Sequence, residues 1–407
     1  MPTFASLRWS TWPRTPSEAL AAAVFAFLDV VDVLLCLVYA LLDGILEESP
    51  IGCYCHRSYG SEAADDDDEE VSDTLYARRS AIRDALVGLM GLVVRNRRGA
   101  APCKWRSPRF TDAAGTESET AENAIFVHGF TSSSSFWAET VFRESSVLNS
   151  RLFAVDLLGF GQSPKPADCL YRLKDHVEAI ETSLVEPLNL SSFHLVAHSM
   201  GCIIALALAA RHPNRLKSIT LVAPPYFLPC EQMASQVALS RLAEKKLWPP
   251  LLFGSAVMSW YEHIGRTVCF LLCKNHLLWE WLFRLLTRQR DVDFRVRDLT
   301  KHTHHSAWHT MHNVICGGAR LQDRNLEAIE AAGIPVMAIH GTKDSVVPVE
   351  CSRHLKAKIP HAELRLMAGC DHTTVVSGRE RGFAEELSAF WSGSRTQRAR
   401  RRVNGGC

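Results

Sequence analysis

The sequence predicts an α/β fold, a mostly parallel sheet with helices on both faces and a helical cap inserted between two of its strands. Three observations predict it. The stretch "FHLVAHSMGCIIALALAARHP" passes from a short, apolar, partly β-branched strand directly into a helix rich in Ala and Leu. The stretches "NAIFVHG", "SITLVAP", "IPVMAIHG" and "AELRLMAG" read as further buried strands, and the last two run into loops with polar side chains suited to catalysis. Residues 226–332, between the second and third of these strands, carry helical patterns instead.

The strand-to-helix corner carries the first candidate functional residue. A strand that turns at once into a helix crowds its own backbone, so small residues are needed two positions either side of the turn residue. Here they are Ala197 and Gly201 around Ser199, and the corner reads A-H-S-M-G against the usual G-x-S-x-G. A serine hydroxyl is a poor nucleophile near neutral pH. It needs a histidine to take its proton and an acid to orient that histidine. The α/β-hydrolase fold supplies them in the chain order Ser, acid, His, each after a strand. Asp344 follows the strand 334–340 and His372 follows the strand 362–367, in that order. Asp371 adjoins His372 and is poorly placed to reach back to its ring. Asp156, in "FAVDLLGFGQS", precedes the serine and reads as an anchor of its own loop.

A carbonyl attacked by Ser199 develops an oxyanion, which needs two backbone N–H donors. The residue after the serine, Met200, supplies one, and Phe130 in the loop His128-Gly129-Phe130 supplies the other. His128 is expected to brace that loop by hydrogen bonding. The run Ser132–Ser135 reads as the capped start of a helix.

The remaining sequence bounds the function. Lys and Arg total 45 against 44 Asp and Glu, so no nucleic-acid footprint is expected. No glycine-rich phosphate loop follows a strand, so no nucleotide cofactor is expected, nor any other cofactor. The 13 cysteines form no paired C-x-x-C, and no metal site is expected from them. His305 and His309, one helical turn apart in "HTHHSAWHTMH", read as part of a polar cap helix rather than as metal ligands. The cap is rich in aromatics: Trp248, Trp260, Tyr261, Phe270, Trp279, Trp281, Phe283 and Trp308. Most are expected in its core, with a subset forming an apolar groove suited to an acyl chain.

The N-terminal segment Ala19–Leu42 is long enough to span a bilayer. Asp29 and Asp32 interrupt it, and each costs about 2.5–3.5 kcal/mol near the centre of an inserting helix. With Asp43 they fall near one face, which suits an amphipathic helix packed on a partner or a membrane surface. Arg8 and Arg14 precede the segment while Asp43, Glu47 and Glu48 follow it. That bias keeps the N-terminus cytoplasmic and sends the rest into the secretory pathway, to the cell membrane or cell wall. A cleaved signal, a signal anchor and a surface helix all fit the pattern. Export would expose the sequon Asn189-Leu190-Ser191, a candidate N-glycosylation site.

The expected organisation is therefore a hydrophobic signal or anchor segment (1–52), a linker with an acidic run and a basic loop (53–121), a first core half (122–225), the cap (226–332), a second core half (333–393) and a basic tail (394–407).

Long phrases outside the triad resemble one family. "LDVVDVLLC", "VSDTLYARR", "VHGFTSSSSFW", "AVDLLGFGQSPKP", "WPPLLFGSAVMSWYEHIGRTV", "LLCKNH" and "HTHHSAWHTMHN" resemble the BODYGUARD family of plant α/β-hydrolases over nearly the whole chain. The resemblance implies a lysophospholipase-type enzyme, extracellular or wall-associated, needed for cuticle formation. It also implies a lipid anchor on the cysteine after the N-terminal hydrophobic segment, which here is Cys53 in "GCYC".

The combined expectation is a serine esterase or lipase acting on lipid acyl esters, with Ser199, Asp344 and His372 as triad. Two alternatives stand beside it: a transacylase that passes the acyl group to another hydroxyl, and a non-catalytic receptor for a hydrophobic ligand. No histidine is followed five positions on by aspartate, so the H-x-x-x-x-D acyltransferase signature is missing and hydrolysis is favoured.

Overall fold

A computed structural model describes residues 16–46, 110–113, 122–226, 257–288 and 293–404. Seven strands form one sheet in the order β1-β3-β2-β4-β5-β6-β7. They are β1 (Phe110–Ala113), β2 (Glu122–Val127), β3 (Ser150–Val155), β4 (Phe193–His198), β5 (Leu216–Val222), β6 (Val336–Gly341) and β7 (Glu363–Met367). β2 to β7 are all parallel, and β1 pairs antiparallel with β3 at the edge. Parallel pairing places the C-terminal ends of β2 to β7 on the same side of the sheet. The loops after β2, β3, β4, β6 and β7 therefore share one edge.

Alternation along the strands sends side chains to two separate cores. Ile125, Leu195, Ala197 and Ala338 face a layer of helices α2 (Leu173–Ile180), α3 (Gly201–Arg211), α8 (Gly318–Ala331) and α9 (Glu350–Lys358). Ala124, Phe126, Val196, Met337 and Ile339 face the opposite layer, made by the turns around Phe136 to Leu148 and by α10 (Glu380–Asn404). Strands buried on both faces read as near-continuous apolar runs, as the central strands do.

Helices α4 (Glu262–Leu272), α5 (His276–Thr287), α6 (Phe294–Leu299) and α7 (His304–Thr310) form the cap between β5 and α8. The segment assigned to the cap from sequence, 226–332, ends too late. α8 lies within it, yet its Leu326 and Ile329 sit in the same core as α3. Most of the expected linker, 53–121, lies outside the described residues, but its end holds β1, where "FTDA" gains a ladder from β3. Four residues of mixed polarity give no periodic signal, which is why the sequence reads as loop there. α10 also continues as backbone helix into the expected tail, since Arg, Gln and Ala are good helix formers. In the cap, Trp308 and Tyr261 are buried as expected. Trp279, Trp281 and Phe283 on α5 are exposed instead, and Trp248 lies outside the described residues.

The N-terminal helix α1 (Pro16–Leu46) packs along α4. Asp32, Cys36 and Tyr39 recur at helical spacing and are buried together. The Asp32 carboxylate accepts from the backbone N–H groups of His263 at 3.0 Å and Ile264 at 3.2 Å. These are the second and third residues of α4, whose own N-cap residue Tyr261 makes no side-chain cap. Asp32 thus caps α4 from another helix and meets the positive end of its dipole. The Tyr39 hydroxyl meets Thr267 Oγ1 at 3.0 Å, and the Arg266 guanidinium lies over the Tyr39 ring. Among the described residues no helix is long and apolar enough to cross a membrane. In the structure the polar stripe of α1 meets α4 of the chain's own cap.

Burial disfavours a charged His263. Hydrogen bonds to Asp32 and Cys36 and the charge of Glu262 outweigh it, and the pKa is pushed up to about 10. A raised folded-state pKa contributes stability that is complete below about pH 6.5 and is lost as pH climbs toward the folded value. Asp32→Asn is expected to cost about 1–3 kcal/mol, since it leaves buried donors without their charged acceptor. Thermal unfolding at pH 6 and pH 9 checks both points. The wild type should lose more Tm between these pH values than Asp32→Asn does. Equal losses would show that the pair does not carry the pH dependence.

Candidate active site

Ser199 sits directly after β4, with φ of 53°, in the left-handed region that L-residues rarely adopt. Its N–H donates to the Val222 carbonyl at 2.8 Å, and its carbonyl accepts from Cys202 N–H at 2.9 Å. The chain thereby turns over Ser199 and Met200 and enters α3. The space needed beyond the turn is real: a Cβ on Gly201 would lie 2.5 Å from the His128 carbonyl oxygen and 2.8 Å from that of Val127. Real Cβ atoms do not approach backbone that closely, so this position takes only glycine without backbone movement. Ala197 on the near side is fully buried, and its methyl fits where the usual motif has glycine.

The loop after β2 lies against this corner. A Cβ on Gly129 would come within 3.1 Å of both His198 Nδ1 and Ser199 Cβ. His128 is fully buried. Its Nε2 accepts from Leu157 N–H at 3.0 Å, so its Nδ1 carries the proton and donates to the Gly129 carbonyl at 2.7 Å. Burial pulls its pKa down despite the nearby Asp156 carboxylate, which keeps this bracing tautomer neutral. Asp156 anchors the adjoining loops as expected, accepting from Ser134 N–H at 2.7 Å and Gln162 N–H at 2.8 Å. The serine run is capped differently from the expectation. Ser134, the N-cap residue of the turn Ser135–Ala138, makes no side-chain cap, and Ser133 Oγ takes Ser135 N–H instead. The N–H groups of Phe130 and Met200 have no acceptor among the described residues. Met200 N–H also lies at the start of α3, where the helix dipole favours negative charge.

Asp344 and His372 come together. His372 Nδ1–H donates to Asp344 Oδ2 at 2.7 Å, leaving Nε2 free to exchange a proton. The other carboxylate oxygen accepts from Val346 and Val347 N–H groups, each at 2.8 Å. Burial raises the energy of the Asp344 charge. Hydrogen bonds from His340 and His372 and from the loop backbone more than offset it, and its carboxyl is held well below the usual carboxylate range. Asp371 is exposed and fully engaged with its own turn, accepting from Thr373 and Thr374 N–H groups.

β7 lies three strands from β4, about 14 Å at the usual strand spacing, so the loop carrying His372 must arch back over β6 and β5. Two residues make the return fit. Gly341 lets the loop cross its strand end, for a Cβ there would lie 2.4 Å from the Cys370 carbonyl oxygen. His198 Nε2–H then donates to the His372 carbonyl at 2.9 Å, while its ring stacks on Phe136. Burial drops the His198 pKa to about 3, so this donor stays neutral at physiological pH.

These contacts stand on a matched family. Residues 125–378 match the alpha/beta hydrolase fold family. The probable lysophospholipase BODYGUARD 4 of Arabidopsis thaliana is 46% identical over 94% of this chain and 99% of its own length. BODYGUARD 5 and BODYGUARD 1 of the same plant are 41% and 38% identical, over 91% and 94% of this chain. The chain belongs to the BODYGUARD family of alpha/beta hydrolases. Among solved structures, a carboxylesterase of Nitrososphaera gargenis superposes with a TM-score of 0.50 at 18% identity, over 72% of this chain and all of its own, which shows the shared fold.

In this BODYGUARD-family chain, sequence reasoning missed three residues of the site. His340, at the end of β6, puts Nε2 within 3.3 Å of Asp344 Oδ2 and 3.0 Å of the Val347 carbonyl, while Nδ1 meets Ser352 Oγ at 2.7 Å. A histidine four residues before the acid at a strand end is a usable signal for a buried support to that acid. His198 was visible only as a neighbour of the serine, and Gly341 only as a strand end. The remaining expectations fall elsewhere. Cys53 lies outside the described residues. Asn189 is exposed on the turn before β4, at the edge opposite Ser199. His305 Nε2–H donates to the Cys169 carbonyl at 2.8 Å and helps seat α7 on the core. A cavity of about 650 Å³ opens beside α4 and α7, and neither Ser199, Asp344 nor His372 lines it.

Proposed function

We propose that the chain is a serine hydrolase of lipid acyl esters. The observation that carries this reading is the Asp344–His372 hydrogen bond at 2.7 Å, held by His198 against the strained corner that carries Ser199. In the proposed cycle Ser199 Oγ attacks the ester carbonyl as His372 Nε2 takes its proton. Asp344 keeps the His372 tautomer with Nδ1–H and offsets the imidazolium charge. The Phe130 and Met200 N–H groups stabilise the oxyanion. The imidazolium returns its proton to the departing alkoxide, which leaves as an alcohol. Water, deprotonated by His372, then cleaves the acyl-enzyme to a free acid and restores Ser199.

A lipid substrate is supported by the named relatives, which are probable lysophospholipases, and by the exposed surfaces of α1 and of the cap helix α5. α1 exposes Leu20, Phe27 and Leu34, and α5 exposes Leu277, Trp281 and Leu286. Apolar faces of this kind suit contact with a lipid surface. Cuticle formation is the setting we attach to this activity, and cutin and wax profiles of tissue carrying Ser199→Ala in place of wild type read it out. Export is proposed with it: in plant cells, endoglycosidase should shift the wild-type protein but not Asn189→Gln. An unshifted wild type would contradict luminal passage.

The triad assignment has a sharp test on a purified protein with a simple acyl ester. Ser199→Ala and His372→Ala should each lower kcat by about 10⁴–10⁶, and Asp344→Asn by about 10⁴. Asp371→Asn should keep near-wild-type kcat. A dead Asp371→Asn beside an active Asp344→Asn would overturn the acid assignment, and binding without turnover by the wild type would make the chain a receptor.

A further inference from the structure

The cap holds a second cluster of reactive side chains, remote in sequence from the triad. Cys269 lies on α4, and Cys273 follows one helical turn later at its C-cap. His302 comes from the segment between α6 and α7. Its Nε2 stands 3.7 Å from Cys269 Sγ and 3.6 Å from Cys273 Sγ. All three donor atoms lie within 4.8 Å of one another. Cys269 and His302 are buried, and Cys273 is half-buried.

These spacings can be compared with coordination geometry. Zn–S bonds of about 2.3 Å and Zn–N bonds of about 2.0–2.1 Å at tetrahedral angles place sulfur and nitrogen ligands about 3.6 Å apart. The two observed separations match that value without rearrangement. Without a metal, hydrogen bonding links the three only as a chain through one sulfur, because a single ring nitrogen faces two sulfurs and forms one bond through its lone pair or its proton. Two thiolates and one imidazole form a soft-to-borderline donor set, which suits zinc rather than calcium or magnesium.

We propose that Cys269, Cys273 and His302 bind one Zn²⁺ ion in the cap. All three ligands border the cavity of about 650 Å³, which leaves the fourth position open to water or a small ligand. Binding deprotonates the thiols and releases their protons to solvent, with no change in oxidation state. The ion fastens α4 to the segment 298–303. That segment and the start of α7, which follows it, already touch the loops of the active edge: Asp298 accepts from Ser133 Oγ at 2.6 Å, and Ser306 Oγ of α7 donates to the Gly159 carbonyl at 2.8 Å. The metal site therefore secures the cap on the core without entering the chemistry at Ser199. Cysteine spacing gave no hint of it, because the pair is C-x-x-x-C on a helix and the third ligand lies 29 residues further on.

The test uses the full chain, reduced, stripped with chelator and titrated with ZnCl₂. Metal analysis after desalting should find one zinc per chain, and Co²⁺ in its place should show sulfur-to-cobalt charge-transfer absorption. Zinc should raise the Tm of the wild type. Cys269→Ser, Cys273→Ser and His302→Gln should each bind at least about 100-fold more weakly and lose the Tm rise. Their zinc-free Tm, measured alongside, identifies variants that fold, and His302→Gln keeps both sulfurs if a serine variant does not. Absence of stoichiometric zinc in the reduced wild type would overturn the proposal. So would zinc binding that survives in folded variants, or a preference for copper(I) with no zinc bound.

Discussion

Ser199 holds a left-handed backbone conformation that costs an L-residue about 1–3 kcal/mol and persists only where the surrounding fold fixes it. Here the fixing is mutual. β4 is central in the sheet and cannot shift its register, α3 is packed between the sheet and α8, and the chain joins them through only Ser199 and Met200. Gly201 lets α3 pass against the backbone of the β2 loop, and that contact brings Phe130 and Met200 to the same edge. Strand, helix and neighbouring loop would each have to move if Ser199 relaxed. The rest of the site is arranged around that point.

The distal side of the site depends on the same corner. β7 is too far from β4 for His372 to arrive by strand order alone, and the loop's return rests on Gly341 beneath it and on the neutral His198 that receives its carbonyl. His198 is the residue before Ser199, so the corner that presents the serine also presents the donor that places the histidine loop. Asp344 is fixed from the far side by His340 and by two backbone N–H groups. A carboxylate so satisfied stays ionised and keeps His372 in one tautomer.

Much of this was legible in the sequence, for reasons specific to each part. The corner could be read because steric crowding demands small residues at Ala197 and Gly201. The order Ser199, Asp344, His372 could be read because parallel strands put successive loops on one edge. Residues whose role comes only from three-dimensional crossing were silent, as His198, His340 and Gly341 show. The strand β1 was silent because its ladder comes from β3 rather than from its own pattern. The aspartates of α1 were legible as a polar stripe, but their target was not. Asp32 caps α4 across a separation of more than two hundred residues, and no local pattern encodes that. The cap was legible as helical yet not in extent, because α8 is amphipathic like a cap helix and only its packing on α3 assigns it to the core.

The central claim is that the strained corner makes Ser199 a nucleophile rather than a small residue at a tight turn. The most direct measurement is active-site labelling of the purified chain with a fluorophosphonate, read by intact mass and peptide mapping. The account predicts one adduct per chain, located on the peptide containing Ser199 and formed slowly or not at all in Asp344→Asn. No adduct on a folded chain, or an adduct on any other serine, would contradict it.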